Sequence, residues 1–324
     1  MKIAVFRALQ LGDLLCAIPA IRNIRYNFPK AHIAFVGLPT MKSLIARFDY
    51  VDEYIDFPGY PGLPEQEENL DQLDAFVEEM ERKKFDIIFQ MQGNGTIVND
   101  LLRRWGADKI VGFCVSLEEQ DSDFMMYPDG VHETEKHLLL LRHIGLNIKD
   151  THMEFPVFER DRANFRLLED MCDEHKFVVI HPGSRDERRR WSTFNFAKVA
   201  NRISGQGYKI VLTGTLAEQD LINNLADLLI DIPINLCGKT DLGTVGVLLE
   251  TASLLVCNCT GISHIAAGIG TKSIVFSMDG EPERWGPKNK KLHHTFDATG
   301  EIAMHDIFSV VDILLADDGI GKYG

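Results

Sequence analysis

The sequence predicts an α/β protein built from two doubly wound parallel sheets. Short apolar, β-branched runs alternate with stretches of helical periodicity along the whole chain. Such alternation gives parallel strands with helices on both faces of the sheet. The second half starts afresh with its own strand and crossover. At 324 residues the chain exceeds one ordinary core and suits two domains of roughly 150 residues each.

In the first half the apolar runs place strands at 2–6, 32–36, 53–57, 86–90 and 110–113. Helical periodicity covers 14–27, 40–47, 69–84, 97–104 and 134–145. The acidic stretch 58–81, which contains Pro and Gly, reads as a solvated loop and helix. The second half repeats the pattern, with strands at 177–181, 209–213, 235–236, 254–257 and 273–276. Helices fall near 193–205, 216–229, 242–251 and 261–269. One more, at 305–316, closes the chain and is free to pack back on the first domain. Phe155-Pro156-Val157 interrupts the helical pattern within the join at 148–165, which sets the domains at 1–155 and 156–324. Ligands of such folds bind at the carboxyl ends of the strands, and a cleft between facing domains is the natural site. No solenoid-type repeat is present.

The net charge is −14, with 45% hydrophobic and 25% charged residues, the composition of a soluble globular protein. Residues 1–150 carry 16 Lys and Arg against 24 Asp and Glu, and the remainder 18 against 24. Neither half is basic, which argues against nucleic acid as a partner. No apolar run reaches the roughly 18–20 residues of a membrane span, and no signal-peptide pattern follows Met1-Lys2. The expectation is a cytoplasmic protein with at most peripheral membrane contact. Six cysteines are scattered without a CxxC pair, and they read as reduced, buried thiols. Cys257 and Cys259 have no His or Cys pair nearby, so no metal site is expected.

The most informative stretch is 254–287. Its strand stops at Asn258-Cys259-Thr260-Gly261 and turns at once into a helix of small residues, 262–268. A strand end of this kind presents unpaired N–H groups and a positive dipole end, a ready site for a phosphate or diphosphate. A second basic feature opens the second half: His181-Pro182-Gly183-Ser184-Arg185, then Arg188-Arg189-Arg190-Trp191. Within an acidic chain this is either a phosphate clamp or a solvated basic turn. Thr213-Gly214-Thr215 ends the next strand, with Glu218 beyond it as either a solvent-facing acid or a ribose ligand. His264, in the helix after Thr260-Gly261, is either a structural histidine or a catalytic one. In the first half Gly12 permits a tight turn and Asp13 opens a helix. Asp13 is either a first-turn carboxylate worth about 1 kcal/mol or a carboxylate placed to take a proton. Neither a GxGxxG, nor a GxxxxGK[ST], nor a GxSxG pattern occurs.

Arg7…Leu11-Gly12-Asp13 with Ala17-Ile18-Pro19-Ala20 resembles the amino-terminal signature of the heptosyltransferases, glycosyltransferase family nine. His181-Pro182-Gly183-Ser184…Arg189-Arg190-Trp191 resembles the opening of that family's second domain. Thr260-Gly261-Ile262-Ser263-His264-Ile265-Ala266-Ala267 resembles its signature helix. The resemblance implies a GT-B fold, two Rossmann-like domains facing each other across a cleft, with nucleotide sugar on the second and acceptor on the first. It implies inverting transfer without an obligatory metal or other cofactor, often of heptose from ADP-heptose to the lipopolysaccharide inner core. By position, Asp13 matches the general base and Arg189 the basic residue that neutralises the departing diphosphate. Glu218 matches the ribose ligand, Thr240 falls near the adenine, and Thr260 and Gly261 match the phosphate-binding amides. Gly12, Ser184, Arg185, Arg190, Thr213, Gly214, Ser263 and His264 complete the expected site. The family usually has aspartate where this chain has Cys259, so sugar selection is expected to differ. The alternatives are a GT-B enzyme with another nucleotide sugar, sugar-nucleotide epimerisation, or a nucleotide-binding protein that has lost catalysis.

Overall fold

The computed structural model of the protein describes residues 1–67, 69–168 and 176–316, which leaves Cys172 outside the described residues. The chain divides into two compact units, Met1–Met153 and Glu154–Gly324. The first unit runs β1 (Lys2–Phe6), α1 (Leu11–Asn27), β2 (His32–Gly37), α2 (Lys42–Ile45), β3 (Glu53–Asp56) and α3 (Leu70–Lys83). It continues with β4 (Ile87–Gln90), α4 (Val98–Arg103), β5 (Lys109–Cys114), β6 (Phe124–Met126) and α5 (Glu133–His143). Its six strands pair in parallel in the order β3-β2-β1-β4-β5-β6. The winding reverses between β1 and β4, where Phe6 stands opposite Gln90. That reversal leaves a crevice at the carboxyl ends of the two strands.

Burial explains the elements. β1 buries Ile3–Phe6, and α1 buries the whole run from Leu14 to Ile24. In α3, Leu73, Phe76, Val77 and Met80 recur at helical spacing and are buried. The stretch 58–81 is therefore only partly solvated: Tyr60 and Leu63 pack on the same core as that helix face. Trp105, fully buried, meets the rings of Phe6 and Phe76 edge-on at 5.6 and 5.7 Å.

The second unit opens with α6 (Glu159–Phe165), β7 (Phe177–His181), α7 (Thr193–Ser204), β8 (Lys209–Leu212), α8 (Gln219–Ala226) and β9 (Ile234–Asn235). It closes with α9 (Leu242–Thr251), β10 (Leu254–Asn258), α10 (Gly261–Ile269), β11 (Ser273–Ser277), α11 (Pro282–Trp285), β12 (His293–Asp297) and α12 (Met304–Ala316). The parallel order is β12-β11-β10-β7-β8-β9, the same winding read from the other edge, with its reversal between β7 and β10. Ile307, Val311, Leu314 and Leu315 of α12 lie in this unit's core with Phe196 and Ile203. Among the described residues no helix is long and apolar enough to cross a membrane.

Four elements have no counterpart in the sequence expectation. β6 and β12 are edge strands, and their sequences, FMM and HHTFD, lack a buried apolar run. Pairing with β5 and β11 makes them strands. α6 is polar on most of its surface; Asp161 accepts from the Phe158 N–H at 2.8 Å and starts the helix. α11 is one turn begun by Pro282.

Candidate active site

The second unit's switch point is built by two loops, one after β7 and one after β10. Asn258, fully buried at the end of β10, ties them together. Its Oδ1 accepts from the Trp191 N–H at 2.8 Å, and its Nδ2 donates to the Pro182 carbonyl at 2.7 Å. Thr260 then caps α10 in an extended conformation with no side-chain cap bond. Ser263 spends its hydroxyl on the Thr260 carbonyl at 2.7 Å. The first turn of α10 thus opens without a side-chain cap, and its amides and dipole favour an anion. His264 is buried one residue further on, and Gly270 at φ 88° ends the helix in the left-handed region.

The three consecutive arginines separate in space. Arg188 turns back on Asp186, with Nη2 to Oδ2 at 2.7 Å, and that hydrogen bonding lowers the Asp186 carboxyl to about 2. Arg190 donates to the Ser184 carbonyl at 3.0 Å and to Glu187 Oε1 at 2.8 Å. Arg189 reaches the end of β10, where it donates to the Cys259 carbonyl at 2.9 Å and to Asp279 Oδ2 at 2.8 Å. Asp279 is held in turn by the Ser277 hydroxyl at 2.6 Å. Arg185 is exposed, and Thr240 is half-buried between β9 and α9. Ser184, Arg189, Arg190, Cys259, Thr260 and Gly261 are therefore brought together. Asn258 and Asp279 join them, although neither stood out as a site residue in the sequence. The only sequence signal for Asn258 is a polar residue closing a wholly apolar strand.

Cys259 is buried, and desolvation, with Asp279 adding to it and Arg189 opposing it, pushes its thiol up to about 12. It is neutral at physiological pH. The other described cysteines, Cys16, Cys114, Cys237 and Cys257, are also buried and form no disulfide. Among the described residues no group of three or more His, Cys, Asp or Glu is arranged to hold a metal.

Glu218 does not face solvent. It closes a capping box, with Oε2 accepting from the Thr215 N–H at 2.8 Å and from the Thr215 hydroxyl at 2.9 Å. Its carboxylate also lies against the backbone at Gly183, where a Cβ would stand 2.2 Å from Oε1. Only glycine admits that approach. His181 meets Thr213 Oγ1 at 3.1 Å, and burial lowers its pKa against the opposing pull of Glu218. Gly214 completes this turn, with Glu218 Oε2 and Ile222 close by.

In the first unit α1 begins at Leu11, so Gly12 is a helical first-turn residue and the expected tight turn is not there. Residues 7–10 instead link β1 to α1, and the first of them is a buried arginine. Arg7 is 1% exposed and donates from Nε to the Asp13 carbonyl at 2.9 Å and from Nη1 to the Met91 carbonyl. Its Nη2 stands 3.7 Å from Asp13 Oδ1 and 3.3 Å from Glu133 Oε1. Asp13 keeps 29% of its side chain exposed. Burial pushes the Glu133 carboxyl up, but Arg7 and Lys136 overcome this and hold it well below the usual carboxylate range. In the sequence Glu133, Lys136 and His137 stand only at helical spacing, and nothing in that pattern shows that all three are buried.

Arg189→Ala is expected to weaken nucleoside diphosphates by about 1–3 kcal/mol relative to the free nucleosides, since the lost contact is charge-assisted. Asp279 would also stand beside the diphosphate without its counter-ion. Calorimetric titration of both ligands checks this, and equal losses would move the phosphate clamp elsewhere.

The sequence model of the family described as glycosyltransferase family 9 (heptosyltransferase) matches residues 74–306, more than half of the chain. The matched stretch contains Arg189, Glu218 and Thr260 and begins after Asp13. Over 275 residues the chain is 23% identical to lipopolysaccharide heptosyltransferase 3 of Escherichia coli, an overlap of 81% of this chain and 79% of that protein. The glycosyl transferase family 9 structure from Veillonella parvula is similar with a TM-score of 0.81 at 18% identity, covering 98% of this chain and 97% of the other. The E. coli ADP-heptose lipopolysaccharide heptosyltransferase II gives 0.79 at 17% identity, covering 98% and 100%. At these identities the structural likeness establishes the fold, a two-domain α/β arrangement of the GT-B class.

Proposed function

Because this chain belongs to glycosyltransferase family 9 and is a glycosyltransferase, we propose that it transfers heptose from ADP-heptose, with inversion, to a glycan acceptor such as the lipopolysaccharide inner core. The observation that carries this reading is Arg189 held across the end of β10, beside the first turn of α10. A cation held by two acceptors next to a helix start without a side-chain cap suits a diphosphate leaving group. ADP-heptose and lipopolysaccharide are the substrates carried in the names of similar proteins.

In the proposed reaction Asp13 takes the proton of the acceptor hydroxyl, whose oxygen attacks the anomeric carbon from the face opposite the diphosphate. The bond from that carbon to the diphosphate breaks, and its electron pair leaves with ADP. Arg189 and the α10 dipole meet the growing charge, so an obligatory metal is not part of the proposal. Glu218, already oriented by its cap, is the proposed ribose ligand, and Thr240 is the proposed residue near the base. The proposed location is the cytoplasm, with the acceptor met at the inner face of the membrane.

Release of ADP from ADP-heptose in the presence of inner-core acceptor, run beside UDP- and GDP-sugars, tests the donor assignment. Turnover with a uridine or guanosine donor alone would replace it. The second reading, a nucleotide-binding protein without catalysis, is favoured by one observation: Cys259, where the resemblance leads one to expect an aspartate, is a neutral thiol. ADP raising the melting temperature without any turnover would select it. Cys259→Asp is expected to raise turnover with ADP-heptose while ADP affinity stays constant or falls, because a carboxylate beside a diphosphate repels it. No change in either quantity would make Cys259 a packed thiol only.

A further inference from the structure

We infer that Glu133 is a positioning residue for Asp13: by sharing the Arg7 guanidinium, it leaves Asp13 basic enough to accept a proton. The inference rests on the reading of Asp13 as the base. Two carboxylates meet one nitrogen, since Arg7 Nη2 lies 3.3 Å from Glu133 Oε1 and 3.7 Å from Asp13 Oδ1. The guanidinium is buried and fixed by the carbonyls of Asp13 and Met91, so it cannot turn towards one partner alone. Glu133 is fixed as well, because its Oε2 accepts from Lys136 Nζ at 2.8 Å, and Lys136 also donates to Tyr127 Oη at 2.6 Å.

Arg7 at the end of β1 and Lys136 on α5 supply two cations against the two carboxylates. His137 Nε2 stands 3.8 Å from Glu133 Oε1, but burial keeps that ring neutral. Cys16 on α1 is buried among the same groups, and desolvation raises its thiol, so it too is neutral. Tyr127, on the segment after β6, is a further titratable group, and it accepts from Lys136.

An opposite charge within about 4–6 Å favours the ionised form of a carboxylate and so weakens it as a base. Were Arg7 to face Asp13 alone, its whole charge would act there. Glu133, less exposed than Asp13 at 5% against 29%, takes up part of that charge on the inner side. Asp13, the more open of the two, is left to meet the acceptor hydroxyl. A purely structural role for Glu133, neutralising a buried arginine, predicts lost stability but no effect on protonation at Asp13.

The test compares the full chain with Glu133→Gln, the double variant Glu133→Gln/Lys136→Met, and Asp13→Asn. Two readouts are used: the pH dependence of kcat/KM and the NMR titration of the Asp13 side-chain carboxyl carbon. Glu133→Gln is expected to move the Asp13 midpoint and the acidic limb of the rate to lower pH. At neutral pH kcat should fall about tenfold, with KM for the donor unchanged. The double variant removes the lysine left unpaired in the single variant, and it should show the same direction of shift if Glu133→Gln folds poorly. An unmoved midpoint in a folded variant overturns the inference and leaves Glu133 as a structural counter-ion. Full turnover by Asp13→Asn overturns the base assignment itself, whereas an inactive Asp13→Asn beside an unmoved limb overturns this inference alone.

Discussion

Asp13→Asn is expected to lower turnover by about 10²–10⁴-fold while nucleotide affinity stays nearly constant. Asparagine keeps the volume and the hydrogen-bonding reach of the side chain but has no proton affinity to offer. Asp13 occupies the first turn of α1, at the carboxyl end of β1 where the first sheet reverses its winding. The nucleotide contacts proposed above all belong to the second unit, so an effect confined to kcat is the mark of proton transfer. Isothermal titration with ADP beside steady-state rates checks both halves of the statement. A fall in donor affinity as steep as the fall in rate would show that Asp13 holds structure or donor instead.

Trp191→Ala should destabilise the second unit by about 3–5 kcal/mol, the usual cost of removing a large aromatic from a core. Trp191 is 6% exposed, stacks on Phe276 with ring centroids 3.7 Å apart, and meets Phe196 edge-on at 5.2 Å. It lies two residues after Arg189, and its N–H is the one that Asn258 accepts. The backbone bond survives the substitution, but the ring that holds the loop on the core is lost. Affinity for nucleoside diphosphates is therefore expected to fall together with melting temperature, and Trp191→Phe should recover most of both. Thermal melts with and without ADP measure the two effects. Unchanged melting of the alanine variant would mean that the ring fills no necessary space.

The alternation of strand and helix determined that the chain forms parallel sheets, because an amphipathic helix and an apolar strand can bury their faces only against each other. The central strands β1, β7 and β10 were legible for the same reason: they are buried on both faces and therefore apolar at four of their five positions. The small residues after β10 and the break into α10 marked the proposed phosphate-binding end, since the features involved belong to the backbone. With the resemblance carried by three ordered motifs, the family was within reach of the residues alone.

Tertiary structure decided what depends on partners far apart in the chain. β12 is a strand because β11 offers it an edge, and nothing in HHTFD requires it. Glu218 is buried because Gly183, 35 residues earlier in the chain, leaves room for its carboxylate. Which of three adjacent arginines faces the end of β10 follows from Asp186 and Glu187, which engage Arg188 and Arg190 and leave Arg189 to Asp279. The charges around Asp13 come from β1, α1 and α5, packed so that Arg7 sits between two carboxylates. Local pattern records which faces of an element are buried; which charges then meet in the buried space is set by packing over long sequence separations, and there low dielectric and fixed geometry decide the chemistry.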